Sequence, residues 1–437
     1  MTLINMIKRT LSVLTAAMLC SVGLAACGAG GQAADSPAEA SAETSETAAE
    51  TADDTSSEPE KLPETDEEWH AAMIDKSLTS FGNVTKMQEK LTAAKNGEPL
   101  NISYLGGSIT EGMTVAPTHP ELCWANLTYE HIRDTYGAGD GSNVTYNNAG
   151  IAGTPSKLGV LRLDRDVLPS DPDICFVEFA VNDGGEGDYQ MAYESILRRL
   201  IENDVAVVLV FSVTENGHSC QEYMQSQGEY YGLPMISYRD ALMFMFDYGK
   251  MTWKDFSDDQ SHPNEAGHAL VAEMVNNYFD KVMEQPAEAY EYPEQPLTEI
   301  RPYGAHLYDN TNLTPVDTAD WETGTSTPHF EDGWIHKVSA ETNEPIKFRF
   351  TGKFVYMLYH EVSSGNYGKA HIKVMQDGEV YDEIDFDPVD KNGWGNCQVK
   401  LIGMSPVNCE YEIEISMAEG DEDKAFAVLG FGYTIDE

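Results

Sequence analysis

The chain has 437 residues, and its 73 acidic side chains against 27 basic ones leave a formal net charge of −46. That balance excludes nucleic acid as a partner, because phosphate backbones demand clustered Lys and Arg, and it disfavours strongly anionic polymers, so a neutral substrate fits better. The seven cysteines show no CxxC motif and no Cys/His metal spacing, so neither a metal nor a cofactor is expected.

The chain opens with "MIKRTLSVLTAAMLCSVGLAAC", in which Lys8 and Arg9 precede an apolar run too short for an ordinary membrane span. Residues 1–27 read as a secretory signal. Leu24-Ala25-Ala26-Cys27 followed by Gly28 resembles a bacterial lipobox. That resemblance implies lipidation of Cys27 and a protein anchored at the extracellular face of the cell membrane, touching it through that lipid alone. Residues 28–69 form an acidic linker: thirteen acids between Gly28 and Glu68 face the single Lys61. With almost no apolar residue to bury, it cannot offset its ordering entropy and is expected to be an extended, disordered tether.

Residues 70–292 alternate β-type runs with helical patterns. "VTKMQEKLTAAKNG" reads as a lead-in helix ending on Gly97. "LNISYLG", "NVTYNN", "DICFVEFAV" and "VAVVLVFSV" read as strands. "WANLTYEHIRDTY", "MAYESILRRLIEN" and "EAGHALVAEMVNNYFDKVM" carry apolar residues at i, i+3, i+4. Alternation of this kind predicts an α/β domain: a parallel sheet with helices on both faces. Residues 300–437 change to successive strand patterns, with Asp377-Gly378 as a hairpin signal, and predict an antiparallel β-sandwich. There Cys397 and Cys409 admit a hairpin disulfide, while Cys123, Cys175 and Cys220 read as buried apolar residues.

Ligands of an open parallel sheet sit outside the carboxyl ends of its strands. Four loops reach that edge: "YLGGSITEG" with Ser108, "NNAGIAGTPS" with Gly153, Asn182-Asp183-Gly184-Gly185, and "DDQSHPNEAGH" with Asp259 and His262. Taken singly, each has a bland reading as a turn or, for Pro263, the first residue of a helix. Taken together they supply nucleophilic chemistry. A serine hydroxyl attacks once a base accepts its proton, and an imidazole does so at neutral pH. Asp259, three residues before His262, reaches the other ring nitrogen within one turn; Asp258 is its rival.

These blocks resemble the SGNH hydrolases, also called GDSL-type esterases, across residues 85–285, and the GxSxG elbow of the α/β-hydrolases is absent. The resemblance implies a flavodoxin-like three-layer α/β/α domain with Ser108 as nucleophile and Asp259 and His262 as the orienting pair. The Ser108 N–H, the Gly153 N–H and the Asn182 amide would form the oxyanion hole. "GGS" stands where the family has "GDS", at a position that takes no part in proton transfer. Glu178 and Asp183 lack the second partner that glycoside cleavage requires. His218-Ser219 is too close in sequence for a base and nucleophile, and His119, His131 and His268 read as loop or helix-surface residues. In the sandwich, Trp321, Trp334, Tyr367 and Trp394 offer either a sugar-stacking platform or core packing. The expected activity is a surface-anchored serine esterase removing O-acetyl groups from an oligo- or polysaccharide. Its alternatives are a lipase or lysophospholipase of the same fold and a non-catalytic polysaccharide-binding lipoprotein.

Overall fold

A computed structural model describes residues 62–299 and 301–435; Cys27, the signal segment and the acidic stretch to Lys61 lie outside the described residues. The first sheet has six strands: β1 (Leu78–Ser80), β2 (Leu100–Gly106), β3 (Val144–Gly150), β4 (Ile174–Glu178), β5 (Ala206–Phe211) and β6 (Met235–Ser237), in the order β1-β6-β5-β4-β2-β3. From β2 to β6 the pairing is parallel. The edge strand β1 runs antiparallel to β6, a departure from the all-parallel expectation. Period-two alternation divides the central strands between two cores. Tyr104, Phe176 and Val208 face the helix Glu265–Val282 through Val271 and Phe279. Leu105, Val177 and Leu209 face the helix Gly187–Glu202 through Ile196 and Leu197. Burial on both faces is why "ICFVE" and "AVVLVF" are almost wholly apolar.

Asp66, Glu67 and Glu68, which the sequence reading assigned to the tether, open a helix over Asp66–Ser77. Thr65 and Glu68 form a reciprocal capping box, and three acids in the first turn suit the positive end of the helix dipole.

The second sheet comprises β7 (Ala305–Tyr308), β8 (Glu322–Thr323), β9 (Trp334–His336), β10 (Ile346–Val362), β11 (Ala370–Gln376), β12 (Glu379–Phe386), β13 (Trp394–Met417) and β14 (Phe426–Thr434). It is antiparallel, ordered β12-β11-β13-β10-β14-β9-β8, with β7 on β14. Register breaks between Gly352 and Phe354 and between Val355 and Tyr356 let long β10 and β13 bend together into a sandwich-like layer. "CQVKLIG" and "CEYEIEISM" are therefore one strand, not a hairpin. Cys397 stands opposite His360 and Cys409 opposite Gly352, far apart along β13, and both thiols are free. Asp377 (φ 49°) and Gly378 (φ 82°) make the expected tight turn from β11 to β12.

The two sheets share a core. Leu158, Leu161 and Leu163 of the α/β part cluster with Ala305, Phe330, Leu358, Cys397, Ala427 and Leu429 of the sandwich. At Gly432 the approach is so close that a Cβ would stand 2.6 Å from a Leu161 methyl carbon.

Candidate active site

Ser108 begins a four-residue helical turn immediately after β2, with Gly107 as its N-cap, and is buried. The peptide before it is held from both sides. Fully buried Arg162 donates to the Gly106 carbonyl (3.0 Å) and to that of Ala149 (2.7 Å). Buried Glu178 receives the Ser212 hydroxyl (2.5 Å), the Thr110 hydroxyl (3.0 Å) and the Gly107 N–H. Burial raises the Glu178 pKa, and those donors, with His262 nearby, oppose the rise. Hydrogen bonds from the Arg162 guanidinium to one end of this peptide unit and to the Glu178 carboxyl from the other fix its plane, and with it the start of the turn that carries Ser108.

The glycines are required by close approach. A Cβ on Gly106 would stand 2.7 Å from the Glu178 carbonyl, and one on Gly107 would collide with the Asn182 side chain.

Ser108 Oγ lies 2.9 Å from His262 Nε2, and His262 Nδ1 lies 2.8 Å from Asp259 Oδ2. Asp259 Oδ1 accepts the N–H groups of Ser261 and His262, each at 2.7 Å. Burial raises the Asp259 pKa, but these N–H groups and the imidazole outweigh it and hold the carboxyl below its ordinary value. The Ser257 hydroxyl is placed against the carbonyls of Asp259 (3.0 Å) and His262 (2.5 Å), and the Trp253 indole N–H donates to the Asp259 carbonyl (2.6 Å), so the whole loop is braced. Asp258 is exposed and makes no bond to His262.

Gly153 has φ 70°, a left-handed conformation natural to glycine. Among the described residues the Ser108 and Gly153 N–H groups have no acceptor, and Asn182 Oδ1 is buried without a partner. The Gly153 loop is anchored on each flank: Ala152 N–H donates to Glu111 Oε2 (2.8 Å) and Ser156 N–H to Asp183 Oδ1 (2.7 Å). Asp183 also receives the Tyr223 hydroxyl (2.7 Å), and burial lifts its carboxyl to about 7.

His268, expected on a helix surface, is fully buried. Its Nδ1 accepts the Trp124 N–H (3.3 Å), its Nε2 faces the Thr114 hydroxyl (3.3 Å), and burial lowers its pKa to about 4. The helical pattern concealed this because both partners come from a distant segment. His119 and His131 lie on the surface beside Glu121 and Asp280. Among the described residues no group of three or more His, Cys, Asp or Glu could hold a metal ion.

Of the four sandwich aromatics, Trp321 and Trp334 are buried in the sandwich core and Tyr367 packs on His360. Trp394 is 57% exposed. Its ring covers Gly153 so closely that a Cβ there would be 2.9 Å from Cζ2. Beside it opens a cavity of about 390 Å³, walled by Glu111, Met113 and Ile151 from the catalytic edge and by His329, Phe330 and Trp394 from the sandwich. The sequence singled out Trp394 as one of four platform aromatics but carried no signal that it, His329 and Phe330 meet the catalytic edge, since they lie more than 200 positions from Ser108.

The GDSL-like lipase/acylhydrolase family model matches residues 104–270. No match was found among curated proteins. Two crystal structures of a two-domain esterase (CEX) active on acetylated mannans are similar at TM-score 0.72 and 26% identity; one is a co-crystal with mannopentaose. The likeness covers 83% of this chain and 98% or 99% of those chains, so it takes in both sheets. Residues 104–270 carry a GDSL-like lipase/acylhydrolase domain, and the protein is a carboxylic ester hydrolase of the SGNH type.

Proposed function

We propose that this esterase removes acetyl groups from a neutral, acetylated oligo- or polysaccharide, and that it does so at the outer face of the cell membrane, held there by lipid on Cys27. The observation that carries the carbohydrate reading is Trp394, a half-exposed indole supplied by the sandwich directly over Gly153. An apolar ring face beside the reacting carbonyl suits the C–H face of a sugar ring. The two-domain esterase of similar architecture, active on acetylated mannans, supports the same substrate class. The cavity of about 390 Å³ is lined by Trp394 and Ile151 and not by Ser108, Asn182 or His262, and its size, at the small end of ligand pockets, suits one sugar ring held beside the reacting ester.

In this reading Ser108 Oγ attacks the acetyl carbonyl as its proton passes to His262 Nε2. Asp259 keeps the other ring nitrogen protonated and stabilises the imidazolium. The N–H groups of Ser108 and Gly153 and the Asn182 amide receive the developing oxyanion, each donor contributing about 3 kcal/mol. Collapse releases the sugar hydroxyl, which takes the proton from His262. Water then enters by the same base, acetate leaves and Ser108 is restored.

Mass spectrometry of acetylated manno- or xylo-oligosaccharides treated with the enzyme should show stepwise loss of acetyl units, and turnover of p-nitrophenyl esters should fall steeply beyond butyrate. Unchanged oligosaccharides together with ready cleavage of octanoyl or palmitoyl esters would replace this reading with the lipase alternative.

A further inference from the structure

The loop between β8 and β9 places a histidine where a glycine would be easier. His329 has φ 66°, a left-handed conformation that a residue with a Cβ adopts where its surroundings impose it. Those surroundings come from both sheets. Within the sandwich, the Thr325 hydroxyl donates to the Phe330 carbonyl (2.7 Å), Phe330 N–H donates to the Thr327 carbonyl (3.0 Å), and the Thr327 hydroxyl lies 2.6 Å from His360 Nδ1. From the catalytic side, Arg165 donates to the His329 carbonyl (3.1 Å) and lays its guanidinium 4.7 Å from the centre of the Phe330 ring. Braced in this way, the loop directs His329 Nε2 to Glu111 Oε1 at 3.3 Å.

Glu111 closes the helical turn that Ser108 opens, and its other oxygen holds the Ala152 N–H next to Gly153. One carboxylate thus touches the turn of the nucleophile, the loop of the left-handed glycine and a loop of the sandwich. We infer that His329 is a positioning residue: by holding Glu111 it fixes the Ala152–Gly153 backbone, so the sandwich sets the geometry of the oxyanion donors as well as the wall that faces the sugar. This rests on Gly153 serving as an oxyanion donor.

The test uses p-nitrophenyl acetate, a substrate small enough to need nothing from a sugar-binding wall. His329→Gly suits the backbone angle and removes the imidazole, so its thermal midpoint should stay near that of the parent. Its kcat should fall about tenfold with KM changed less than about twofold, as expected for donors slightly out of place. His329→Gln, which keeps a donor at similar reach, should recover most of the loss. Because His329 acts through Glu111, the double variant with Glu111→Ala should be no slower than Glu111→Ala alone. A His329→Gly enzyme with parental kcat, or losses that multiply in the double variant, would overturn the inference. Ser108→Ala, assayed alongside, separates the two levels: an active Ser108→Ala enzyme removes the site itself, whereas an inactive one beside a fully active His329→Gly removes only the role of His329.

Discussion

Gly107 and Asn182 form a matched pair, since the space that a side chain at 107 would need is taken by the amide proposed to receive the oxyanion. Around that pair, Ser108, His262 and Asp259 form one continuous chain of hydrogen bonds at 2.9 and 2.8 Å. Ser108→Ala should therefore reduce kcat by about a thousandfold or more with folding intact, and His262→Ala should be nearly as harmful. Asp259→Asn should be milder by at least about tenfold, because catalysis persists with a poorly oriented base and this carboxylate is half exposed. Equal losses for His262→Ala and Asp259→Asn on a p-nitrophenyl acetate assay would contradict the ordering. Asp183 makes a separate claim about stability. Its carboxyl keeps a proton in the folded chain to about pH 7, against an ordinary value of 3.8. Between those values the folded state binds more protons than the unfolded one, so stability falls as pH rises through that window. Asp183→Asn retains an acceptor for the Ser156 N–H and removes the titration. Its gain in thermal midpoint over the parent should grow from pH 5 to pH 8, and a gain that does not change with pH would show that this carboxyl does not titrate there.

The elements differ in how plainly the sequence announced them, and the cause is length. β2 and the helix Trp124–Tyr136 were legible to the residue, and the Ser108, Gly153 and Asn182 loops were readable because each follows a strand-like run, the His262 loop because it precedes a helix with a clear period. β1 and β6 have three residues and β8 has two, too few to display any alternation. β13 failed in the opposite way: its central "GMSPVN" looks like a turn, yet it is carried through by pairing with bent β10. Glu111 and His329 were invisible as partners because their contact spans the two sheets. β13 also bears on function, since it starts at Trp394 and so ties the sandwich's longest strand to the catalytic rim. Trp394→Ala should raise KM for an acetylated mannan oligosaccharide by about tenfold, equivalent to about 1.4 kcal/mol, while kcat/KM for p-nitrophenyl acetate changes less than about threefold. Equal effects on both substrates would mean that the indole serves the catalytic loop alone and not the sugar.

For the whole molecule, the net charge of −46 and the acids ahead of residue 62 give the chain no affinity for anionic headgroups. The proposed membrane attachment then rests on lipid at Cys27 alone, and Cys27→Ser should move the protein from the membrane fraction to the soluble one; retention of the variant would point to an uncleaved signal or a protein partner. The core common to both sheets, sealed where Gly432 meets Leu161, has a consequence for how the enzyme opens and fails. Neither sheet can come apart without baring the apolar face of the other, so the chain has no low-lying state in which the catalytic half survives and the sandwich has melted. Amides of central β4 and of β14 should exchange with solvent at the same free energy, that of global unfolding. Heat should then abolish turnover of even the smallest ester in the same transition that releases the sandwich wall of the cavity. A chain cut at residue 300 would be an aggregating fragment instead of a minimal esterase.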